Sequence, residues 1–168
     1  MKKLIVLVAS VFMLQACDDG DITLESFNFD TATIQNCTDN NLVFKINDKE
    51  LLLLSIPESS FLNEETPDGS PRIINVGTTN QIIYRLYSGN VSSATICSTL
   101  PPASPVVEKE WNASGGTIEI ITDALYDVDG ITINGYTHNI KFKNVNFSNP
   151  DNSFSFTEYI FGNYETDL

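Results

Sequence analysis

The strongest constraint on the fold is an alternation of apolar and polar side chains in two segments, residues 117–128 and 136–142. In both segments most even positions are apolar, and the charged side chains stand at odd positions, such as Glu119 and Lys141. An antiparallel register with even-numbered sums therefore places apolar side chains together on one face and carboxylates opposite lysines on the other. We predict that the two segments are neighbouring antiparallel strands.

Other stretches repeat the strand pattern about every ten residues, and helix signals are nearly absent. The further strand candidates are residues 22–29, 42–46, 50–56, 72–76, 81–87, 106–111 and 154–164. The apolar positions change from even to odd after Lys143, which predicts a bulge near Asn144. The sequence thus predicts one all-β domain over residues 22–168. We expect a two-layer antiparallel β-sandwich, immunoglobulin-like in general architecture, with about eight or nine strands; a closed barrel is the alternative.

Two connecting segments have a distinct character. Residues 57–71 are polar and contain three prolines, which predicts a long exposed loop. Residues 88–100 carry Cys97 and are compatible with a helical turn, and the prolines that follow predict an extended connector.

The first 16 residues have the layout of a signal peptide. Lys2 and Lys3 precede an apolar run from Leu4 to Leu14, and Ala16 stands before Cys17. The run is shorter than the roughly 20 apolar residues that a membrane-spanning helix needs. We interpret residues 1–16 as a cleaved leader.

The residues Leu14-Gln15-Ala16-Cys17 resemble the lipobox of bacterial lipoproteins. The acidic residues that follow, Asp18, Asp19 and Asp21, resemble the short export tag of surface lipoproteins of Bacteroidota, so residues 17–21 would comprise the lipidated cysteine and an acidic tether. The resemblance implies that Cys17 is the first residue of the mature chain and carries a lipid. It also implies an outer-membrane location, with the surface-exposed side favoured over the periplasmic side.

The charge of the chain excludes several kinds of partner. Loss of the leader removes Lys2 and Lys3, which leaves 22 acidic against 7 basic side chains and a net charge of −15. Nucleic-acid backbones and anionic lipid headgroups repel such a chain. We therefore expect no nucleic-acid partner, and contact with the membrane through the lipid anchor alone.

The sequence contains three cysteines. If Cys17 is acylated, Cys37 and Cys97 remain, and an oxidising compartment would allow them to form a disulfide. Zinc is the rival interpretation, but the only histidine is His138 and no C-x-x-C spacing occurs.

Catalytic chemistry finds little support in the sequence. His138 is aligned with the apolar positions of its strand, so we interpret it as a half-buried sheet residue with a hydrogen bond rather than a general base. The carboxylate pairs Glu108 with Glu110 and Glu119 with Asp123 could in principle serve a glycosidase, but pairs arise by chance in an acidic chain. We assign no catalytic residue and no cofactor.

Two sequence features that could bind calcium or a sugar also have structural explanations. Asp123, Asp127 and Asp129 are the calcium candidates, although Asp129-Gly130 is equally typical of a hairpin turn. Aromatic residues that could stack on a sugar are more simply explained as core. They are Tyr84, Tyr87, Trp111, Tyr159 and Tyr164.

These observations predict a non-enzymatic lipoprotein that binds a protein or glycan partner or serves as an accessory subunit. A periplasm-facing structural or assembly lipoprotein is the alternative, and a hydrolase or carbohydrate-binding protein is less favoured.

Overall fold

The computed structural model describes residues 27–40 and 42–168. Strands account for 52% of these residues and helices for 8%, which confirms the all-β prediction. The strands are β1 (Ile34–Asn36), β2 (Leu42–Asn47), β3 (Glu50–Ser55), β4 (Arg72–Asn75), β5 (Gln81–Tyr87), β6 (Val107–Ala113), β7 (Thr117–Tyr126), β8 (Ile133–Ser148) and β9 (Ser153–Asp167). The other elements are 3-10 turns at Glu58–Ser60 and Pro67–Gly69 and one short helix, α1 (Ser93–Cys97).

All nine described strands belong to one antiparallel sheet. Its order is β1-β2-β3-β5-β6-β8-β7-β4, and β9 pairs with β8. The predicted hairpin of β2 and β3 is confirmed, with Asp48 in the left-handed region at φ 52°. The consecutive strands β4 and β5 do not pair with each other: β4 lies beside β7, and β5 lies between β3 and β6.

The pairing of β7 with β8 follows the predicted register. Ile118 stands opposite Phe142, Ile120 opposite Ile140, and Glu119 opposite Lys141. The four apolar side chains are buried. Matching alternation in the two segments was therefore sufficient to identify the pair and the even-numbered sum of its register.

The strand β8 changes its pairing partner along its length, and we refer to the change at Asn144 as the kink. Residues before the kink pair with β7, whereas Phe147 and Ser148 pair with β6. Asn144 lies at the kink with φ 51°, and the buried positions change there from even to odd, as the sequence predicts. Opposite it, Gly116 has φ +101°.

The resulting sheet is a strongly curled half-barrel, so the two-layer sandwich is not confirmed. A period-two pattern identifies the face that each side chain takes but contains no information on how far the sheet bends.

The sheet buries apolar side chains on both faces of β3. Leu52 and Leu54 belong to the larger core inside the curl, which also contains Trp111. Leu51 and Leu53 belong to a smaller cluster on the other face, covered by Ile96 and neighbouring residues of the segment 88–97. The uninterrupted apolar run of β3 is thereby explained.

The predicted helical turn and the predicted disulfide are both confirmed, and one strand prediction is wrong in its described part. The helical turn expected within residues 88–100 is α1, and it brings Cys97 to Cys37, with the two Cα atoms 5.4 Å apart in a disulfide. The strand predicted over residues 22–29 begins outside the described residues. In its described part, Phe27 and Phe29 are not in a strand but pack into the aromatic core, with their ring centroids 5.3 Å apart.

Over the described residues, no helix is both long and apolar enough to cross a membrane.

Candidate functional site

A groove of about 420 Å³ lies between β5 and the connector that follows α1. Pro101, Pro102 and Pro105 line it together with Ile96 and Val107. Proline has a fixed φ and little conformational freedom, so these walls lose little entropy on binding. We call this surface the proline groove.

The disulfide holds the proline groove in place. Cys97 is the last residue of α1, and Ile96 and Ser98 on either side of it line the groove. Cys37, at the other end of the bond, is buried beside β2. The cross-link therefore fixes the connector to the sheet at the point where the groove begins.

Apolar side chains continue from the groove onto the surface. Val106 and Val107 are partly exposed, and Leu100, within the same connector, is 80% exposed. Contiguous exposed apolar surface is costly for a monomeric protein and commonly marks an interaction site. The groove and its surroundings thus suit an apolar segment of a partner.

One ion pair borders the proline groove. Arg85 Nε donates to Glu110 Oε2 at 2.6 Å, from directly opposite positions on β5 and β6. Burial alone would raise the pKa of Glu110, but the hydrogen bond and charge of Arg85 outweigh burial and hold that pKa below its ordinary value. Glu110 is therefore an ionised partner of arginine, which does not suit it to donate a proton as a glycosidase acid.

The other carboxylates examined in the sequence have no shared site. Glu119 stands opposite Lys141, but both Lys141 and Lys143 form ion pairs with Glu158 of β9. The sequence pattern missed this partner because β9 approaches the same face of β8 from its other edge. Asp123 stands opposite Thr137 and is exposed.

His138 is completely buried, more deeply than predicted, and has two hydrogen-bond partners. Its Nδ1 lies 2.8 Å from Thr122 Oγ1, and its Nε2 lies 3.1 Å from Thr166 Oγ1. Burial, followed by the charge of Arg72, lowers its pKa to about 4. Its two ring nitrogens are thus occupied by hydroxyl groups inside the sheet, away from the groove.

Two of the calcium candidates, Asp127 and Asp129, lie at the β7–β8 turn, whereas Asp123 lies within β7. Asp129 accepts hydrogen bonds from the backbone N–H of Ile131 at 2.9 Å and of Thr132 at 2.8 Å, and Asp127 accepts one from Val128 at 2.7 Å. These contacts are those of a turn. In the described residues no group of three or more potential metal ligands occurs, so Asp123, Asp127 and Asp129 are not brought together as a cluster.

The aromatic residues considered for sugar stacking divide into two groups. Trp111, Tyr84 and Tyr87 are buried, and the rings of Trp111 and Tyr84 stack with centroids 5.1 Å apart. Tyr159 and Tyr164 are partly buried and pack against the core. The interpretation of these rings as core is confirmed for the buried three.

The lining of the proline groove comes entirely from residues 85–107. Sequence reasoning missed the groove because a local pattern does not show that the connector folds back against β5. The available signal was the density of prolines beside Leu100, Val106 and Val107 in a connector that should be polar. Such a composition indicates an ordered apolar surface, but only the disulfide and the packing on β5 give that surface a concave shape.

Residues 1–16 and Cys17 lie outside the described residues, so the predicted leader and lipidation site have no structural description. Comparison with known proteins found no matching family model, curated protein or solved structure.

Proposed function

We propose that this chain is a non-enzymatic lipoprotein, anchored in the outer membrane through Cys17 and displayed at the cell surface, that binds an apolar segment of a protein partner in the proline groove. The observation that carries the binding role is the groove of about 420 Å³ with its proline walls and neighbouring exposed apolar side chains. The anchoring role depends on the lipobox-like residues 14–17.

A protein segment suits the groove better than a glycan. Sugars stack on exposed aromatic rings, whereas the single aromatic residue among the groove's described lining, Tyr87, is buried. The lining is mainly aliphatic and proline, which packs well against leucine, valine or proline side chains. The Arg85–Glu110 pair leaves the border of the groove close to neutral.

Lipid anchoring is tested by replacing Cys17. Wild-type protein produced with its leader should partition into the membrane fraction and incorporate an alkyne-labelled fatty acid. The Cys17→Ala variant should lose both properties, while Cys37→Ala should keep the label. Labelling of Cys17→Ala would contradict the proposal.

The side of the membrane is tested by protease treatment of intact cells. A surface-displayed domain is cut before the cells are permeabilised. A domain that is cut only afterwards would favour the alternative, a periplasm-facing assembly lipoprotein.

The groove is tested by site-specific photo-cross-linking in the producing cell. We would replace Val107 with p-benzoylphenylalanine and use Ile131 as the control position, because it is exposed and apolar but lies at the hairpin far from the β6 end of β8. The proposal expects one discrete protein adduct at Val107, absent at Ile131 and reduced by Leu100→Asp. The same adducts at both positions, or none at Val107, would argue against a partner in the groove.

A further inference from the structure

A second, smaller pocket of about 160 Å³ lies on the other side of the disulfide. It is formed where the turn between β1 and β2 meets the loop after β3 and the far end of β9. Glu58, Phe61 and Tyr164 line it together with the polar side chains of Asn36 and Thr38. None of these residues belongs to the proline groove.

Two aromatic rings meet at an angle in this pocket. The centroids of Phe61 and Tyr164 are 4.9 Å apart, and the ring planes are inclined by 63°. Both rings also pack against the buried imidazole of His138, with centroid separations of 5.4 Å for Phe61 and 6.2 Å for Tyr164. Aromatic rings that line a pocket can attract a cation through the negative faces of their π systems.

The pocket also contains one acidic side chain, that of Glu58. Among the described lining residues Glu58 is the only charged one. Across residues 27–40 and 42–168 its carboxylate forms no ion pair. Burial, followed by the negative charge of Glu58, raises the pKa of Tyr164. The carboxylate of Glu58 is therefore close enough to Tyr164 to influence its hydroxyl group. It has no cationic partner among the described residues.

We propose that this pocket binds an alkylammonium group, either quaternary or primary. An anion would be repelled by Glu58, and an aliphatic group would gain nothing from the carboxylate or the amide of Asn36. The volume corresponds to about five water molecules at roughly 30 Å³ each, which suits a headgroup of a few heavy atoms rather than an oligosaccharide. The ligand to which the proposal commits is therefore a small free amine.

Probes of matched shape and different charge test the proposal. We would titrate the full chain carrying Cys17→Ala with choline, n-butylammonium and 3,3-dimethyl-1-butanol, which is the neutral isostere of choline. Nuclear magnetic resonance at physiological salt would follow the signals of Phe61 and Tyr164. Saturable binding of choline or butylammonium, at least about fivefold tighter than the neutral alcohol, is the expected result. The preference between the two cations then distinguishes a quaternary from a primary ammonium.

Four variants test which side chains of the pocket bind the cation. Glu58→Gln and Tyr164→Leu should each weaken binding by about fivefold or more, and Tyr164→Phe should retain it because the ring remains. Glu64→Gln is the matched control, since it removes one charge from the same loop without touching the pocket lining. Wild-type-like unfolding curves establish that each variant is folded.

Three results would overturn the proposal. Equal affinity for choline and its neutral isostere would remove the role of charge. Equal weakening by Glu64→Gln and Glu58→Gln would indicate general attraction of cations to an acidic surface. Absence of saturable shifts with either cation at tens of millimolar would exclude the site.

Discussion

His138 on β8 stands directly opposite Thr122 on β7, and its Nδ1 lies 2.8 Å from the Thr122 hydroxyl oxygen. The Arg72 guanidinium donates to the same hydroxyl, and a neutral imidazole with its proton on Nε2 would accept the hydroxyl proton at Nδ1. Nε2 then carries the ring proton and donates to Thr166 Oγ1 at 3.1 Å, and Thr166 donates to Asn63 Oδ1 at 2.8 Å. This directed chain requires a neutral imidazole.

Stability should therefore fall in mildly acidic solution. Burial and the charge of Arg72 lower the pKa of folded His138 to about 4, whereas histidine in an unfolded chain has a pKa of about 6.5. The unfolded state consequently binds the proton first as the pH falls. The contribution is fully present above pH 6.5 and decreases by about 3 kcal/mol by pH 4.

Two measurements check this dependence. Because His138 is the only histidine, its imidazole resonances can be titrated without ambiguity, and we expect a midpoint near pH 4. Urea unfolding between pH 7 and pH 4.5 should lose more stability in the wild type than in His138→Asn. A midpoint near 6.5 would contradict the directed chain.

The kink in the sheet depends on Gly116. A Cβ atom at this residue would lie 2.6 Å from the carbonyl oxygen of Lys143 and 2.7 Å from that of Asn144, and its φ of +101° disfavours other residues. Gly116→Ala should therefore destabilise the protein by about 2 to 4 kcal/mol. Its neighbour Gly115 meets no atom within 4 Å, so Gly115→Ala is the matched control and should change stability by less than about 1 kcal/mol. Equal effects of the two substitutions in denaturant titrations would refute this role.

The disulfide should contribute strongly to stability. Cys37 and Cys97 are separated by 60 residues, and closing a loop of that length stabilises by about 4 kcal/mol in the chain-entropy model. We expect reduction, or the pair Cys37→Ala with Cys97→Ala, to lower the unfolding free energy by up to that amount. Unchanged urea midpoints with and without reductant would show that the bond adds no stability.

The hydrogen bond between Trp111 and Asn152 should contribute to the stability of the fold. Its indole Nε1 donates to Asn152 Oδ1 at 2.6 Å, and the ring is 1% exposed. Asn152→Ala would leave this donor unpaired and should cost about 1 to 3 kcal/mol. The chain has a single tryptophan, so its fluorescence follows unfolding directly. Asn146→Ala, at an exposed position of β8, is the control and should have a smaller effect.

Local patterns predicted the parts of the fold that depend on neighbouring residues. The alternation around Ile118 and Ile140 predicted the strand pair and the even-numbered sum of its register. The change of buried positions from even to odd at Asn144 was also predicted, and Asn144 has a positive φ, but the pairing of β8 with β9 has no register shift there. The pairing of Cys37 with Cys97 was reached from the resemblance to lipoproteins and is confirmed. The proline groove and the ammonium pocket were not predicted, because each is lined by segments that only the folded chain brings together.

The sequence by itself determined that the chain is antiparallel β, that β2 and β3 share a hairpin and that β7 pairs with β8, since hydrophobic periodicity and turn residues act over a few positions. Only the tertiary structure decided that the sheet curls into a half-barrel, that Glu158 rather than Glu119 pairs with the lysines, and that Phe61 meets Tyr164. These features depend on contacts between residues far apart in the chain, whose geometry is set by packing of the whole sheet and not by any local pattern.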